Sequence, residues 1–106
     1  MFSYFDIIKL RPACPRISST LKKQLKAKAH GLHPIVIIGD KGLTNNIVLE
    51  TDRSLTAHEL IKVRINATDR QARQQMANDL TQQCQAELLQ IIGHIAIIYR
   101  KRIEQE

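Results

Sequence analysis

The segment PIVIIGDKGLT, residues 34–44, is the part of this 106-residue chain that best indicates its architecture. Its first five residues are mostly β-branched and are followed by Gly39, a pattern that predicts a short buried strand. A four-residue glycine loop, GDKG at 39–42, comes next, and Thr44 can then cap a helix. A strand that passes through a loop into a helix is typical of strand-helix-strand units, so we predict an α/β domain.

A helix precedes this stretch. Its cap is predicted within residues 18–20, and Gly31 and Pro34 end it. Four apolar side chains share one face of the helix: Leu21, Leu25, Ala29 and Leu32. Three basic side chains fall on the far side: Lys22, Lys23 and Lys26. We therefore expect this helix to pack on the sheet by its leucine face and to expose its lysines.

Further elements follow the glycine loop. They are a helix from Thr44, a strand over residues 60–67, a helix from Asp69, and a hairpin of residues 88–92 and 95–99 around Gly93-His94. The order αβαβαββ predicts a mixed four-stranded sheet, because helical crossovers join parallel strands and a tight hairpin joins antiparallel ones. The first and last strands are apolar at consecutive positions. We expect both of their faces to be covered, with helices on both sides of at least part of the sheet.

The net charge of +6 is concentrated at the front of the chain. Residues 1–30 hold seven Lys or Arg against Asp6 alone, whereas residues 31–106 hold nine of each sign. A local excess of positive charge attracts a polyanion, so the pattern favours nucleic-acid contact over a solvated helix face. The centre of this excess is the lysine cluster: Lys22, Lys23, Lys26 and Lys28.

Two other basic pairs are weaker candidates. Arg100 and Lys101, in a run that ends at Arg102, are as consistent with a polar strand end as with RNA contact, and we include both among the candidate contacts. Lys62 and Arg64 alternate with apolar residues along the second strand. Their outward position is more typical of solvation than of recognition.

The glycine loop is the second candidate site. Residues without a Cβ let the main chain turn sharply and approach a partner, and the helix that follows adds partial positive charge where a phosphate can bind. Lys41 adds a full charge. Strand-to-helix connections also contain two glycines for purely conformational reasons, so the spacing alone leaves both interpretations open.

Other chemistries find no support in the sequence. Cys14 and Cys84 are far apart, and the loose His30-x-x-His33 pair is not a metal motif, so we expect no metal and no cofactor. Walker, nucleophile-elbow and paired-acid patterns are missing, so we expect no enzyme. The cysteine usage fits a reducing, cytoplasmic compartment. No apolar run approaches the roughly 18 residues of a membrane span.

Several segments, in the right order, resemble one known family. They are residues 32–44, residues 58–64, Ile92-Gly93 and Ile98-Tyr99-Arg100. Together they resemble the CRM domain (chloroplast RNA splicing and ribosome maturation), and more closely the bacterial stand-alone YhbY proteins. The resemblance covers residues 19–102.

The resemblance implies both a fold and a function. The implied fold is an αβαβαββ sandwich similar to the C-terminal domain of bacterial translation initiation factor three. The implied function is non-enzymatic RNA binding, with rRNA in precursors of the large ribosomal subunit as the partner. The implied RNA contacts are Lys22, Lys23, Lys26, Gly39, Asp40, Lys41 and Gly42.

We therefore predict an N-terminal extension over residues 1–17, an RNA-binding domain over 18–102 and a tail over 103–106. The lysine cluster and the glycine loop are expected to lie side by side, as one cationic surface that binds RNA by its backbone without DNA specificity. Two alternatives stay open. The basic patch docks an acidic protein, or the first ten residues and the lysines lie on an anionic membrane.

Overall fold

The computed structural model describes residues 18–101. Its elements are α1 (Ser19–Ala29), β1 (Pro34–Ile38), α2 (Asn45–His58), β2 (Leu60–Ile65), α3 (Arg70–Cys84), β3 (Glu87–Ile92) and β4 (Ile95–Tyr99). This order confirms the predicted αβαβαββ arrangement. The predicted extension over 1–17, Arg102 and the tail over 103–106 lie outside the described residues, and the domain boundaries stay predictions.

The strands form one mixed sheet in the order β1-β2-β4-β3. β1 pairs parallel with β2, while β4 pairs antiparallel with both β2 and β3. The crossover through α2 makes the first pair parallel. The β3–β4 hairpin turns at Gly93, whose φ of +58° suits the first central position of a type II′ turn. The predicted sheet is therefore confirmed.

Helices cover both faces of the sheet, with α2 and α3 on one face and α1 on the other. The buried core between the sheet, α2 and α3 consists of Val36, Ile38, Val48, Leu55, Ile61, Val63, Ile65, Ala77, Leu80, Cys84, Ala96 and Ile98. The smaller core beneath α1 consists of Leu25, Ala29, Leu60, Leu89, Ile97 and Tyr99, with Leu21 and Leu32 packed against it. The leucine face of α1 thus packs on the sheet as predicted.

Each helix begins at a predicted cap. The capping bonds run from Leu21 N to Ser18 Oγ (3.2 Å), from Ile47 N to Thr44 Oγ1 (3.3 Å) and from Ala72 N to Asp69 Oδ2 (3.3 Å). Each bond satisfies a main-chain N–H group that has no partner within its helix. For the site, the Thr44 cap is the important one, because Thr44 stands two residues after the glycine loop and fixes the start of α2 at Asn45.

The two most apolar strands have different surroundings. β4 lies in the middle of the sheet, and its last four residues are buried, as predicted. β1 is an edge strand in which Val36 and Ile38 are buried but Ile35 and Ile37 are 44% and 57% exposed. The expectation that both faces of β1 are covered is therefore wrong. The core contacts of α1 are with β2, β4 and β3, so within residues 18–101 no helix packs on the outward side of the β1 edge.

Candidate nucleic-acid interface

The glycine loop lies at the carboxyl end of β1 and leads into α2. The Gly42 N–H donates to the Gly39 carbonyl (3.0 Å), which closes the loop as a β-turn. Gly42 has a φ of +72°, a left-handed conformation that favours glycine. A Cβ at Gly39 would meet nothing within 4 Å. The fold therefore requires glycine at position 42 but not at position 39. Binding, rather than the fold, can explain the absence of a side chain at Gly39.

The charges around this loop favour an anion on one side. Asp40 and Lys41 are exposed, and within residues 18–101 neither side chain forms an ion pair. The first turn of α2 contains no acidic residue, so no carboxylate within that turn neutralises the positive end of the helix dipole. Main-chain N–H groups, the helix end and the Lys41 ammonium together form a surface that suits a phosphate.

The opposite side of the loop is acidic. A cleft of about 320 Å³ separates the loop from the start of α3, and Asp40 and Asp69 both line it. Two carboxylates beside one cleft repel a phosphate. An anion is therefore better accommodated by Lys41 and the start of α2 than by this cleft.

The lysine cluster lies along α1. Lys23 and Lys28 are exposed, whereas Lys22 and Lys26 are half-buried, and none of the four forms an ion pair within the described part of the chain. Lys26 and Lys28 lie in the last turn, where cations stabilise a helix. Lys22 ends the first turn, where a cation is unfavourable, and Lys23 follows it. The helix dipole therefore does not explain Lys22, which is consistent with a role in binding.

The lysine cluster and the glycine loop do not lie side by side. α1 packs against Leu60 and Tyr99, at the end of the sheet where β1 and β2 begin. The loop follows Ile38, at the other end of β1, roughly 13 Å away for a five-residue strand. The expectation of one continuous cationic surface is therefore not met. The reason is that α1 lies over the starts of the parallel strands, whereas the loop follows the end of β1.

Arg100 is in the interior and not on the predicted surface. It is 7% exposed, and its Nη1 donates to Asp52 Oδ1 (2.6 Å) and to the Cys84 carbonyl (2.9 Å). Its Nη2 donates to the Asp52 carbonyl (3.0 Å) and to Thr56 Oγ1 (2.9 Å). These bonds tie the end of β4 to α2 and α3. We therefore remove Arg100 from the candidate contacts, while Lys101 is exposed and stays among them.

Arg64 points outward as predicted, but its neighbour Ile37 is exposed as well. The alternation of β2 is as expected: Ile61, Val63 and Ile65 are buried, and Arg64 is exposed. The Arg64 Nε donates to Asn66 Oδ1 (3.0 Å), which orients the guanidinium. In the neighbouring strand, Ile35 and Ile37 lie on the same outward side. The consecutive apolar residues of that strand had predicted that both would be buried.

The part of the chain that the structure describes contains neither a metal-binding cluster nor a membrane-spanning helix. No group of three or more His, Cys, Asp or Glu residues there is arranged to hold a metal ion. In the same range, no helix combines the length and apolar composition needed to cross a bilayer.

Comparison with known proteins identifies the family. The CRS1 / YhbY (CRM) domain model matches residues 17–100. An RNA-binding protein of Haemophilus influenzae is 39% identical over 84 residues, which are 79% of this chain and 85% of the relative. A probable RNA-binding protein of Pseudomonas aeruginosa is 40% identical over 80 residues, covering 76% of this chain and 77% of the relative.

A solved structure agrees with the fold. The solution structure of a Staphylococcus aureus protein, described as a candidate RNA binder, superposes with a TM-score of 0.75 at 31% identity. The match covers 86% of this chain and 95% of the other. The family model, the relatives and the superposition thus extend over the same α/β domain, and this chain belongs to the CRS1/YhbY (CRM) domain family.

Proposed function

We propose that this protein is a non-enzymatic RNA-binding protein that acts in assembly of the large ribosomal subunit by holding the backbone of structured rRNA. The observation that carries the proposal is the glycine loop, an exposed turn that leads directly into a helix start free of acidic residues and that includes the unpaired Lys41. The relatives named as RNA-binding proteins support it. A cytoplasmic location stays a prediction.

The loop would bind RNA through a phosphate group. Gly42 sets the turn, and the exposed Gly39 leaves the main chain accessible. The α2 dipole and Lys41 supply the favourable charge. Contacts of this kind depend on the sugar-phosphate backbone and not on base identity, so binding to structured RNA of varied sequence is expected.

The lysine cluster would form a second contact with the same RNA. Because it lies at the other end of β1 from the loop, one short phosphate run cannot serve both through a single pocket. A folded or extended RNA that crosses the face of the sheet can reach both. The proposed interface is therefore two cationic contacts separated by the open part of the sheet.

Salt dependence tests the RNA-binding proposal. If roughly four to six phosphates are neutralised, the logarithm of the association constant should fall against the logarithm of salt concentration with a slope of about −3 to −5. Fluorescence anisotropy with an rRNA fragment measures it. Lys41→Ala should make the slope shallower by about one, whereas the exposed Arg53→Ala on α2 should leave it unchanged. A flat wild-type salt profile would contradict the proposal.

The ribosomal part of the proposal has a separate test. The tagged full-length protein should sediment with precursors of the large subunit on a sucrose gradient, and crosslinking followed by sequencing should recover large-subunit rRNA. RNA binding in solution with crosslinks spread evenly over cellular transcripts would leave an RNA-binding protein but contradict the assembly role.

One observation favours a second function. The lysine cluster is separate from the glycine loop, so α1 could dock an acidic protein without any help from the loop. A partner that is captured by wild-type protein after ribonuclease treatment, and lost with Lys22→Ala/Lys23→Ala/Lys26→Ala, would support this alternative.

A further inference from the structure

We propose that the open part of the sheet between α1 and the glycine loop binds unpaired nucleotides, with Arg64 at its centre. This inference rests on the proposed RNA-binding function and adds a surface to it. The surface is one row of side chains across all four strands, here called the open row: Ile37, Arg64, Ile95 and Ile92.

The strand register places these residues in line. Ile37 pairs with Arg64, Arg64 pairs with Ile95, and Ile95 pairs with Ile92. Paired residues point to the same face of a sheet. That face is the one on which α1 packs, since Ile97 and Tyr99, two and four residues beyond Ile95, lie in the core beneath α1. The open row therefore continues that core beyond α1, and no helix of the described part of the chain packs on it.

The open row is apolar at both of its ends. Ile37 is 57% exposed on the β1 edge, and Ile92 is 50% exposed on the β3 edge. With Ile35, which shares the outward side of β1, they make up the exposed large apolar residues identified between residues 18 and 101. Exposed apolar residues that are scattered singly need no explanation, but a set on one face indicates an interaction surface.

The centre of the open row is cationic. Arg64 is exposed, and its bond to Asn66 orients the guanidinium while its terminal amino groups remain available to an acceptor. Lys62 lies on the same face, two residues before Arg64, and the open row contains no carboxylate. The surface thus complements a partner that is anionic and also presents flat apolar groups.

Unpaired nucleotides meet both requirements. A phosphate can accept two hydrogen bonds from an arginine, and an unstacked base offers a flat face to isoleucine side chains. Double-stranded RNA buries those faces inside its stack, so it would use the cations but not the isoleucines. A second copy of the chain fits less well, because a symmetric pairing of open rows would bring two Arg64 side chains together.

The test compares single-stranded RNA with a fully paired RNA duplex. In fluorescence anisotropy, Ile37→Ser/Ile92→Ser should weaken binding to a labelled oligouridine by about three- to tenfold with an unchanged salt slope, because the lost contacts are not ionic. Binding to a blunt-ended RNA duplex of equal length should change by less than about twofold. Arg64→Ala should weaken oligouridine binding and make the salt slope shallower by about 0.7.

Controls separate the possible results. Leu49→Ser, half-buried on α2 across the sheet from the open row, is the apolar control and should leave both affinities unchanged. Circular dichroism should show that all variants fold. If the open-row variants bind oligouridine as the wild type does while Lys41→Ala is weaker, the inference fails and the proposed function stands. If the wild type binds neither RNA, both fail. If light scattering shows a wild-type dimer that Ile37→Ser/Ile92→Ser dissociates without loss of RNA affinity, the open row joins two copies and the inference is overturned.

Discussion

Arg64, in β2, and Arg100, directly after the neighbouring strand β4, have opposite surroundings. Arg100 follows β4 on the face closed by α2 and α3, where four hydrogen bonds hold its terminal nitrogens. Arg64 projects from β2 on the face that α1 covers only in part, where its guanidinium is exposed. The contrast shows that the face of the sheet, and not the charge of the residue, decides whether an arginine stabilises the fold or is available to a ligand.

The largest expected effect is on the free energy of unfolding, in a variant that removes the buried arginine. Arg100→Ala removes the arginine partner of Asp52, whose side chain is 6% exposed, and should lower the free energy of unfolding by about 3–5 kcal/mol. Urea denaturation followed by circular dichroism measures the change. Arg64→Ala is the matched control and should stay within about 0.5 kcal/mol of wild type. Equal stability of the two variants would show that the buried ion pair adds nothing to the fold.

The contrast between the two arginines could be predicted only in part. The alternation of apolar and charged residues along β2 predicts correctly that Arg64 points outward, because this pattern depends on one strand alone. The burial of Arg100 depends on Asp52, 48 residues earlier, and such contacts between elements are not visible in local composition. One signal existed. Asp52 lies beside Val48 and Leu55 on the inner side of α2, and an acid on a buried helix face requires a partner.

The same dependence on contacts between distant elements explains the other differences between the predictions and the structure. The order of elements, the caps and the leucine face of α1 follow from periodicity and cap chemistry, which are local. The edge position of β1 depends on strand order, so its outward isoleucines could not be distinguished from core residues. The separation of the lysine cluster from the glycine loop depends on where α1 crosses the sheet, which its sequence does not specify.

The next effect tests whether the lysine cluster and the glycine loop are two contacts or one. Lys22→Ala/Lys23→Ala/Lys26→Ala should weaken binding to all RNAs by about 10- to 100-fold at low salt and make the salt slope shallower by about two to three. Combined with Lys41→Ala, the changes in binding free energy should add to within about 0.5 kcal/mol, because the sites share no contact. Strong non-additivity in anisotropy titrations would indicate a single coupled site.

A smaller effect separates the two glycines of the loop. Gly42→Ala forces a Cβ into a left-handed conformation and should cost about 1–2 kcal/mol of stability. Gly39→Ala meets no neighbouring atom and should change stability by less than about 0.5 kcal/mol. Thermal unfolding measures both. If Gly39→Val keeps the fold yet weakens RNA binding, main-chain access matters, whereas unchanged binding would show that the loop is only a turn.

The smallest effect concerns the acid within the glycine loop. Asp40 is exposed beside Lys41 and, with Asp69, lines the cleft next to the turn, so its charge opposes a phosphate held at the start of α2. Asp40→Asn should therefore strengthen RNA binding by about two- to threefold at low salt. The gain should disappear at about 1 M salt, where the screening length falls to about 3 Å.

Glu50→Gln, exposed on α2 beyond the loop, is the matched neutralisation and should change affinity less. A loss of affinity with Asp40→Asn would instead mean that the carboxylate accepts hydrogen bonds from the RNA, and the loop would then recognise sugar hydroxyls or bases in addition to phosphate.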